Sequence, residues 1–233
     1  MILDSLRKEL KVNVDLEYKK GAENFFKEPI LVYGVRTPVF RKIARKYFKE
    51  VKELSKKEIF NLINELYKTN YHEEFIIGTQ WLYAIKEQFE AKDFNQFEKW
   101  LSNYVNNWAK CDDYCTHPFG YLITKFPELI PKIYNWTKSN NRWMRRASAV
   151  ILIHPVARKQ CLQEVFKAAK ILLLDNDDLV QKGYGWSLKV AADSYQKEVF
   201  DFVMKHKHNM PRTALRYAIE KMPKDLKQKA MQR

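Results

Sequence analysis

Turn-forming residues are scarce: 6 Gly and 8 Pro in 233 residues are too few for the many tight connections of an all-β fold. Long apolar runs are missing as well. No stretch of 18 or more apolar residues occurs, and the opening Met1-Ile-Leu-Asp-Ser does not lead from a basic into an apolar segment, so neither a membrane span nor a secretory signal is expected. Cysteine is limited to Cys111, Cys115 and Cys161, an odd and sparse set that forms no disulfide framework and suits free thiols in a reducing, cytoplasmic compartment. There is no glycine-rich loop to cradle a phosphate and no glycine-rich oxyanion turn beside a cysteine, which argues against a nucleotide cofactor and a Cys–His hydrolase. Cys111, Cys115 and His117 lie close in sequence, but they lack a fourth ligand and a second Cys/His cluster, and Pro118 interrupts the local helix. No metal and no organic cofactor are expected.

Acidic residues are also in deficit. Lys+Arg number 42 against 28 Asp+Glu, a formal charge of +14, which attracts polyanions. The excess is clustered. In RTPVFRKIARKYFK, Arg41, Lys42, Arg45 and Lys46 fall on one short helix, where 41/45 and 42/46 form two adjacent cationic rows. Similar density recurs at Arg142, Arg145 and Arg146, at Arg158-Lys159, and at Lys205, Lys207, Arg212 and Arg216. Such rows suit a nucleic-acid backbone, whose binding is steeply salt-dependent. A membrane surface is the weaker partner, because no segment has the bulky apolar face of an interfacial anchor.

Apolar spacing of three and four dominates, and it predicts about a dozen short helices. Thr37-Pro38 reads as an N-cap followed by a first-turn proline, and Ser55-Lys-Lys-Glu58 as a capping box, so helices should start near 38 and 56. Further starts are expected after Asn70, Lys92, Asn106, Phe126-Pro127, Ser139-Asn-Asn, Asp175-Asn-Asp-Asp, Ser194 and Met210-Pro211. Short loops imply antiparallel neighbours. NRWMRRASAVIL (141–152) lies over DDLVQKGYGWSL (177–188) at an offset of 36 residues, which places Arg146 on Lys182. Weaker copies begin at Met210 and cover Glu74–Tyr83. Two-helix units at this period are a mark of HEAT-like repeats. The expectation is a single all-α domain over 1–233, a curved solenoid of antiparallel helix pairs whose basic concave face holds a DNA duplex, acting as a monomer. An irregular helical bundle is the plainer alternative.

Few residues promise chemistry. Trp108 and Asp112 are spaced i, i+4 in NNWAKCDDYC, an indole beside a carboxylate on one helix face; core packing and helix capping are the ordinary uses of the two. Trp186 is flanked by Gly183 and Gly185, both costly inside a helix and suggestive of close approach by another backbone. Arg145-Arg146 stands at a helix start, poorly placed for the helix dipole but well placed for an external anion.

Taken together, YGVRTPVFRK (33–42), NNWAKCDDYC (106–115), KFPELIPKIYNWTKSNNRWMRRASAV (125–150) and LVQKGYGWSLK (179–189) resemble, in order, the AlkD-like family of DNA alkylation repair glycosylases, which are built from HEAT-like repeats. The resemblance runs from about residue 20 to residue 220. It implies that Trp108 and Asp112 are the active-site indole and carboxylate, Trp186 the second indole, and Arg146 the arginine that grips the lesion-bearing backbone. Arg41, Lys42, Arg45, Lys46, Arg142, Arg145, Lys182, Arg212 and Arg216 are the expected DNA contacts. The implied activity is cofactor-free hydrolysis of the N-glycosidic bond of N3- or N7-alkylated purines in double-stranded DNA, within base excision repair and without a base-flipping pocket. A nucleoid-associated location follows. Ala109 and the Cys111–Cys115 stretch depart from the family pattern, which keeps open a second reading, a non-catalytic paralogue that binds structured or branched DNA.

Overall fold

The computed structural model describes residues 2–232. Their regular structure is helical throughout; the sole pairing of β type among them is an isolated parallel bridge between Leu31 and Tyr71. The chain divides into two compact units, Met1–Tyr114 and Cys115–Arg233. The first contains α1 (Ile2–Val12), α2 (Leu16–Phe25), α3 (Thr37–Val51), α4 (Lys56–Lys68), α5 (His72–Ala84), α6 (Phe94–Tyr104) and most of α7 (Trp108–Thr116). The second continues with α8 (Pro118–Lys125), α9 (Ile130–Ile133), α10 (Arg142–Val150), α11 (Ile153–Val156), α12 (Leu162–Ile171), α13 (Asp178–Ala191), α14 (Gln196–His206), α15 (Arg212–Ala218) and α16 (Lys224–Met231).

Helix starts follow the side chains that satisfy the first free backbone N–H groups. Ser55 accepts from the Glu58 N–H at 3.3 Å while Glu58 accepts from the Ser55 N–H at 2.8 Å, the reciprocal cap expected for α4. At α3 the register differs from expectation by one residue. Arg36 occupies the cap position without a side-chain bond, and Thr37 is already helical, its hydroxyl 3.4 Å from the Tyr18 phenol. Pro38 retains its first-turn role because its missing N–H has no helical partner to lose.

The 36-residue offset has a local cause. Asn141 accepts from the Trp143 N–H and Asp177 from the Leu179 N–H, both at 2.9 Å, so the same cap opens α10 and α13. Asn107 does this again for α7, accepting from the Lys110 N–H at 2.9 Å. Within the second unit α10 packs on α13, and α13 packs on α15; each is preceded by a helical partner, the 3-10 turn Tyr134–Lys138, α12 and α14 respectively. The glycines of α13 permit this. A Cβ on Gly185 would lie 2.7 Å from Tyr217 Cβ and 2.9 Å from the Ala214 carbonyl, and one on Gly183 would lie 3.1 Å from Arg146 Cγ. Gly185 thus meets another backbone, as its cost inside a helix suggests, whereas Gly183 makes room for an arginine stem.

In the first unit α4 packs on α5 and α3 on both α1 and α5. Trp81 and Trp100 are buried, and each indole N–H is satisfied, by the Ala44 carbonyl at 2.9 Å and by Asn64 at 3.1 Å. A buried carboxylate fixes the segment between α2 and α3: Glu73 accepts the N–H groups of Tyr33, Gly34 and Val35 at 3.0, 2.9 and 3.1 Å. Gly34 adopts φ +93°, and a Cβ there would meet Lys19 Cβ at 2.5 Å, so only glycine lets α2 lie this close. Asp15 then caps α2 through the Tyr18 N–H and pairs with Arg36 at 2.8 Å. No residue of α2 is buried; polar contacts rather than an apolar face hold it.

Candidate nucleic-acid interface

The structure makes α7 helical from Trp108 to Thr116, so Trp108 and Asp112 share one side of it. Lys110, Cys111, Tyr114 and Cys115 are buried, while Trp108 and Asp112 are half-buried. Hydrogen bonds orient the helix: the Tyr114 hydroxyl donates to the Phe97 carbonyl at 3.2 Å, and the Lys110 ammonium donates to the Asn70 side chain at 2.8 Å and its carbonyl at 3.1 Å. Asn70 offers both oxygens from a left-handed conformation, φ 61°. Burial pushes the Lys110 pKa down to about 8 against the pull of the Glu73 charge, and the ammonium also lies 5.2 Å from the Phe75 ring centre.

Around Trp108 stands an aromatic cluster that sequence patterning does not single out. Phe26 stacks on its indole at 5.4 Å, Phe25 meets it edge-on at 5.9 Å, and the His72 ring lies 6.0 Å from Phe26. The one available signal was the Phe25-Phe26 doublet at the end of a helix without an apolar stripe. His72 Nδ1 is buried without a hydrogen-bond partner. Burial first, then the Lys110 charge, lower the His72 pKa to about 4, so the ring is neutral at physiological pH.

The expected DNA-contacting cations fall into two groups. On α3, Arg41, Lys42 and Arg45 are exposed and make no ion pair or side-chain hydrogen bond among the described residues; Lys46, also exposed, is bound to Glu9 at 2.6 Å. In the second unit Arg142 and Arg145 converge on the loop before α13, and Lys182 pairs within α13. Arg142 donates from Nε to Asp177 at 2.6 Å, Arg145 from Nε to Asp175 at 2.7 Å, and Lys182 pairs with Asp178 at 3.0 Å. Arg145 also donates to the Ser139 carbonyl at 2.9 Å. Arg146 is 5 % exposed, and its guanidinium donates to the Leu179 carbonyl. Arg212 and Arg216 are exposed on α15, Arg212 donating to the Met231 carbonyl at 3.2 Å. Trp186 on α13 is half-buried and has no aromatic ring contact or hydrogen bond among the described residues.

Comparison with known proteins gives three findings. The model of a family described as DNA alkylation repair enzyme matches residues 6–222. No curated protein matches the chain. Among solved structures, a protein from Enterococcus faecalis described as a predicted DNA alkylation repair enzyme is similar, with a TM-score of 0.81 at 16 % identity over 91 % of this chain and 98 % of that one. That likeness shows a shared all-helical repeat fold. No helix among the described residues is long and apolar enough to cross a membrane.

Proposed function

The chain belongs to the DNA alkylation repair enzyme family, and on that footing we propose that it is a monomeric, monofunctional DNA glycosylase for N3- and N7-alkylated purines in duplex DNA. The observation that supports this most directly is the pairing of Trp108 and Asp112 on one side of α7. Alkylation at N3 or N7 leaves the purine positively charged. When its C1′–N bond breaks, both bonding electrons go to the base, which departs neutral without a general acid. The sugar is left as an oxocarbenium-like cation.

In this reading Asp112 stabilises that cation and orients the water whose oxygen adds to C1′; the proton that this water loses passes to solvent, leaving an abasic site. A carboxylate ~4 Å from the charge, at an effective dielectric of ~20, contributes on the order of 4 kcal/mol, and the part felt only in the transition state accelerates the reaction. The indole face of Trp108 attracts the cationic sugar, contributing about 0.5–2 kcal/mol; by the family resemblance Trp186 is assigned as the second indole and Arg146 as the arginine for the backbone at the lesion. No metal or organic cofactor takes part. A second reading is a non-catalytic binder of distorted or branched DNA, favoured by the burial of Arg146 against Leu179.

The test is release of 3-methyladenine and 7-methylguanine from methylated duplex under single-turnover conditions, with alkaline cleavage of abasic sites as a second readout. Asp112→Asn, which keeps shape and removes charge, is expected to slow release by roughly two to three orders of magnitude while DNA binding persists. A wild-type protein that binds alkylated DNA and frees no base refutes the glycosylase and leaves the binder. Unimpaired release by Asp112→Asn refutes only that residue's role.

A further inference from the structure

Phe25 is out of place for a core residue. It ends α2, a helix with no buried position, and is 70 % exposed. Yet its ring is not loose: it meets Trp108 at 5.9 Å and Phe26 at 5.5 Å, both edge-on, while Phe26 stacks on Trp108 at 5.4 Å. An exposed aromatic ring braced by two others is already ordered before anything binds, so little conformational entropy is lost when a flat partner settles on it. The surrounding charge narrows the choice of partner. Residues 16–28 contain Lys19, Lys20 and Lys27 but also Glu17, Glu23 and Glu28, so this segment has no net attraction for phosphate. His72, next to Phe26, is neutral at physiological pH. What the segment presents is an uncharged π surface on a chain of net charge +14.

We propose that Phe25 is a stacking site for an unstacked nucleobase, one displaced beside a damaged or interrupted position in a DNA strand, with Phe26 and Trp108 as its rigid backing. The proposal rests on the reading of the chain as a DNA-binding repair protein and adds to it a contact with a base rather than with backbone or sugar. Aromatic side chains stack on any base, so recognition by Phe25 reports loss of stacking and not sequence. An intact duplex offers no free base face and gains nothing from it.

The full-length protein is titrated into two duplexes of one sequence, intact and carrying a one-nucleotide gap, with 5-iodouracil at the edge of the gap for photocrosslinking. The gapped duplex is expected to bind about ten-fold more tightly, the scale of one base–aromatic stack, and irradiation to join the iodouracil to Phe25. Phe25→Ala and Phe25→Leu are expected to lose both the preference and the crosslink. Phe25→Trp should keep the preference. The exposure of Phe25 leaves the fold intact, checked by thermal melting, and Phe25→Leu retains apolar contact with Trp108 while removing the π face. Val12→Ala, a change at another exposed apolar residue (84 % exposed), should match wild type. Equal affinity of the wild type for the two duplexes, a preference retained by Phe25→Leu, or a crosslink elsewhere overturns the stacking site and leaves DNA repair standing. Failure to bind either duplex overturns both.

Discussion

On α3, three cations, Arg41, Lys42 and Arg45, stand exposed with no acidic partner among the described residues, whereas on α10 the guanidinium groups of Arg142 and Arg145 are each held by an aspartate of the loop before α13. Sequence density is similar in the two places, but the physical state is not. An exposed, unpaired cation keeps a counterion atmosphere that a phosphate can displace, and its contribution to binding is lost as salt rises. The Arg145–Asp175 pair, with side chains 20 % and 10 % exposed, has already lost much of its hydration. Removing one partner would strand the other, so such a pair matters more to stability than to phosphate affinity. Charge counting locates cations; only the fold says which remain available.

Salt dependence separates the two groups most sharply. Substituting Gln at Arg41, Lys42 and Arg45 together is expected to lower the slope of log affinity against log salt by roughly three units, about a forty-fold change in affinity over a four-fold change in salt. Substituting Gln at Arg142 and Arg145 should change the slope by less than about one unit and lower the melting temperature instead. Fluorescence anisotropy between low and moderate salt measures the first, and calorimetry the second. Equal slope changes in the two variants would show that the aspartates release their arginines to DNA and that the comparison fails.

Much of this architecture is legible in the sequence because caps and apolar period act locally. Ser55, Asn107, Asn141 and Asp177 each set a helix start by bonding to nearby N–H groups, and the 36-residue echo between α10 and α13 follows from two of them. The helices left out of that reading, α1, α2, α8, α11, α12 and α16, are bounded by weaker signals: α12 follows Cys161 at φ 58° with no side-chain cap, and α2 lacks a buried face. The i, i+4 pair Trp108/Asp112 is also local and therefore visible. The partners of Arg142, Arg145 and Arg146 lie 30 to 35 residues away in sequence, and Phe25 reaches Trp108 across 83 positions. No spacing rule encodes contacts that arise only when separate helices pack.

A smaller effect compares one device used in both units. Asp177 caps α13 and holds Arg142, with its side chain 10 % exposed; Asp15 caps α2 and holds Arg36, with its side chain 33 % exposed. Asp177→Ala removes a cap and strands an arginine at a packed helix, an expected loss of about 2–3 kcal/mol in unfolding free energy. Asp15→Ala is expected to cost less, because solvent screens its pair and replaces its bonds. Its pH signature is distinct. The bond from the Tyr18 N–H, with Arg36 second, lowers the Asp15 pKa, so its stabilisation is present above the ordinary carboxylate range and fades as pH falls through the lowered value. Denaturant melts of both variants at neutral and acid pH check the ranking; a larger loss at Asp15 would reverse it.

The gentlest test concerns His72 of the first unit, which among the described residues has no carboxylate contact of the kind that holds Arg142 and Arg145 in the second. His72 has a pKa near 4 in the folded chain, from burial and the Lys110 charge, against an ordinary 6.5. Between those values the unfolded chain holds a proton that the folded chain does not, so lowering the pH from 6.5 towards 4 favours unfolding, whereas above 6.5 the residue has no effect on the pH slope. With allowance for its partial exposure, the loss across that window amounts to about 1–2 kcal/mol. Replacing the ring by Phe removes the titration and the unpartnered Nδ1 while keeping a flat neighbour for Phe26. The unfolding free energy of His72→Phe should therefore decline less than that of wild type as the pH falls from 6.5 to 4, with the difference between them constant above neutrality. Curves that stay parallel through the acid window would mean that His72 reaches a compensating partner or solvent when protonated, and that this base is not isolated in the way the arginines of α10 are paired.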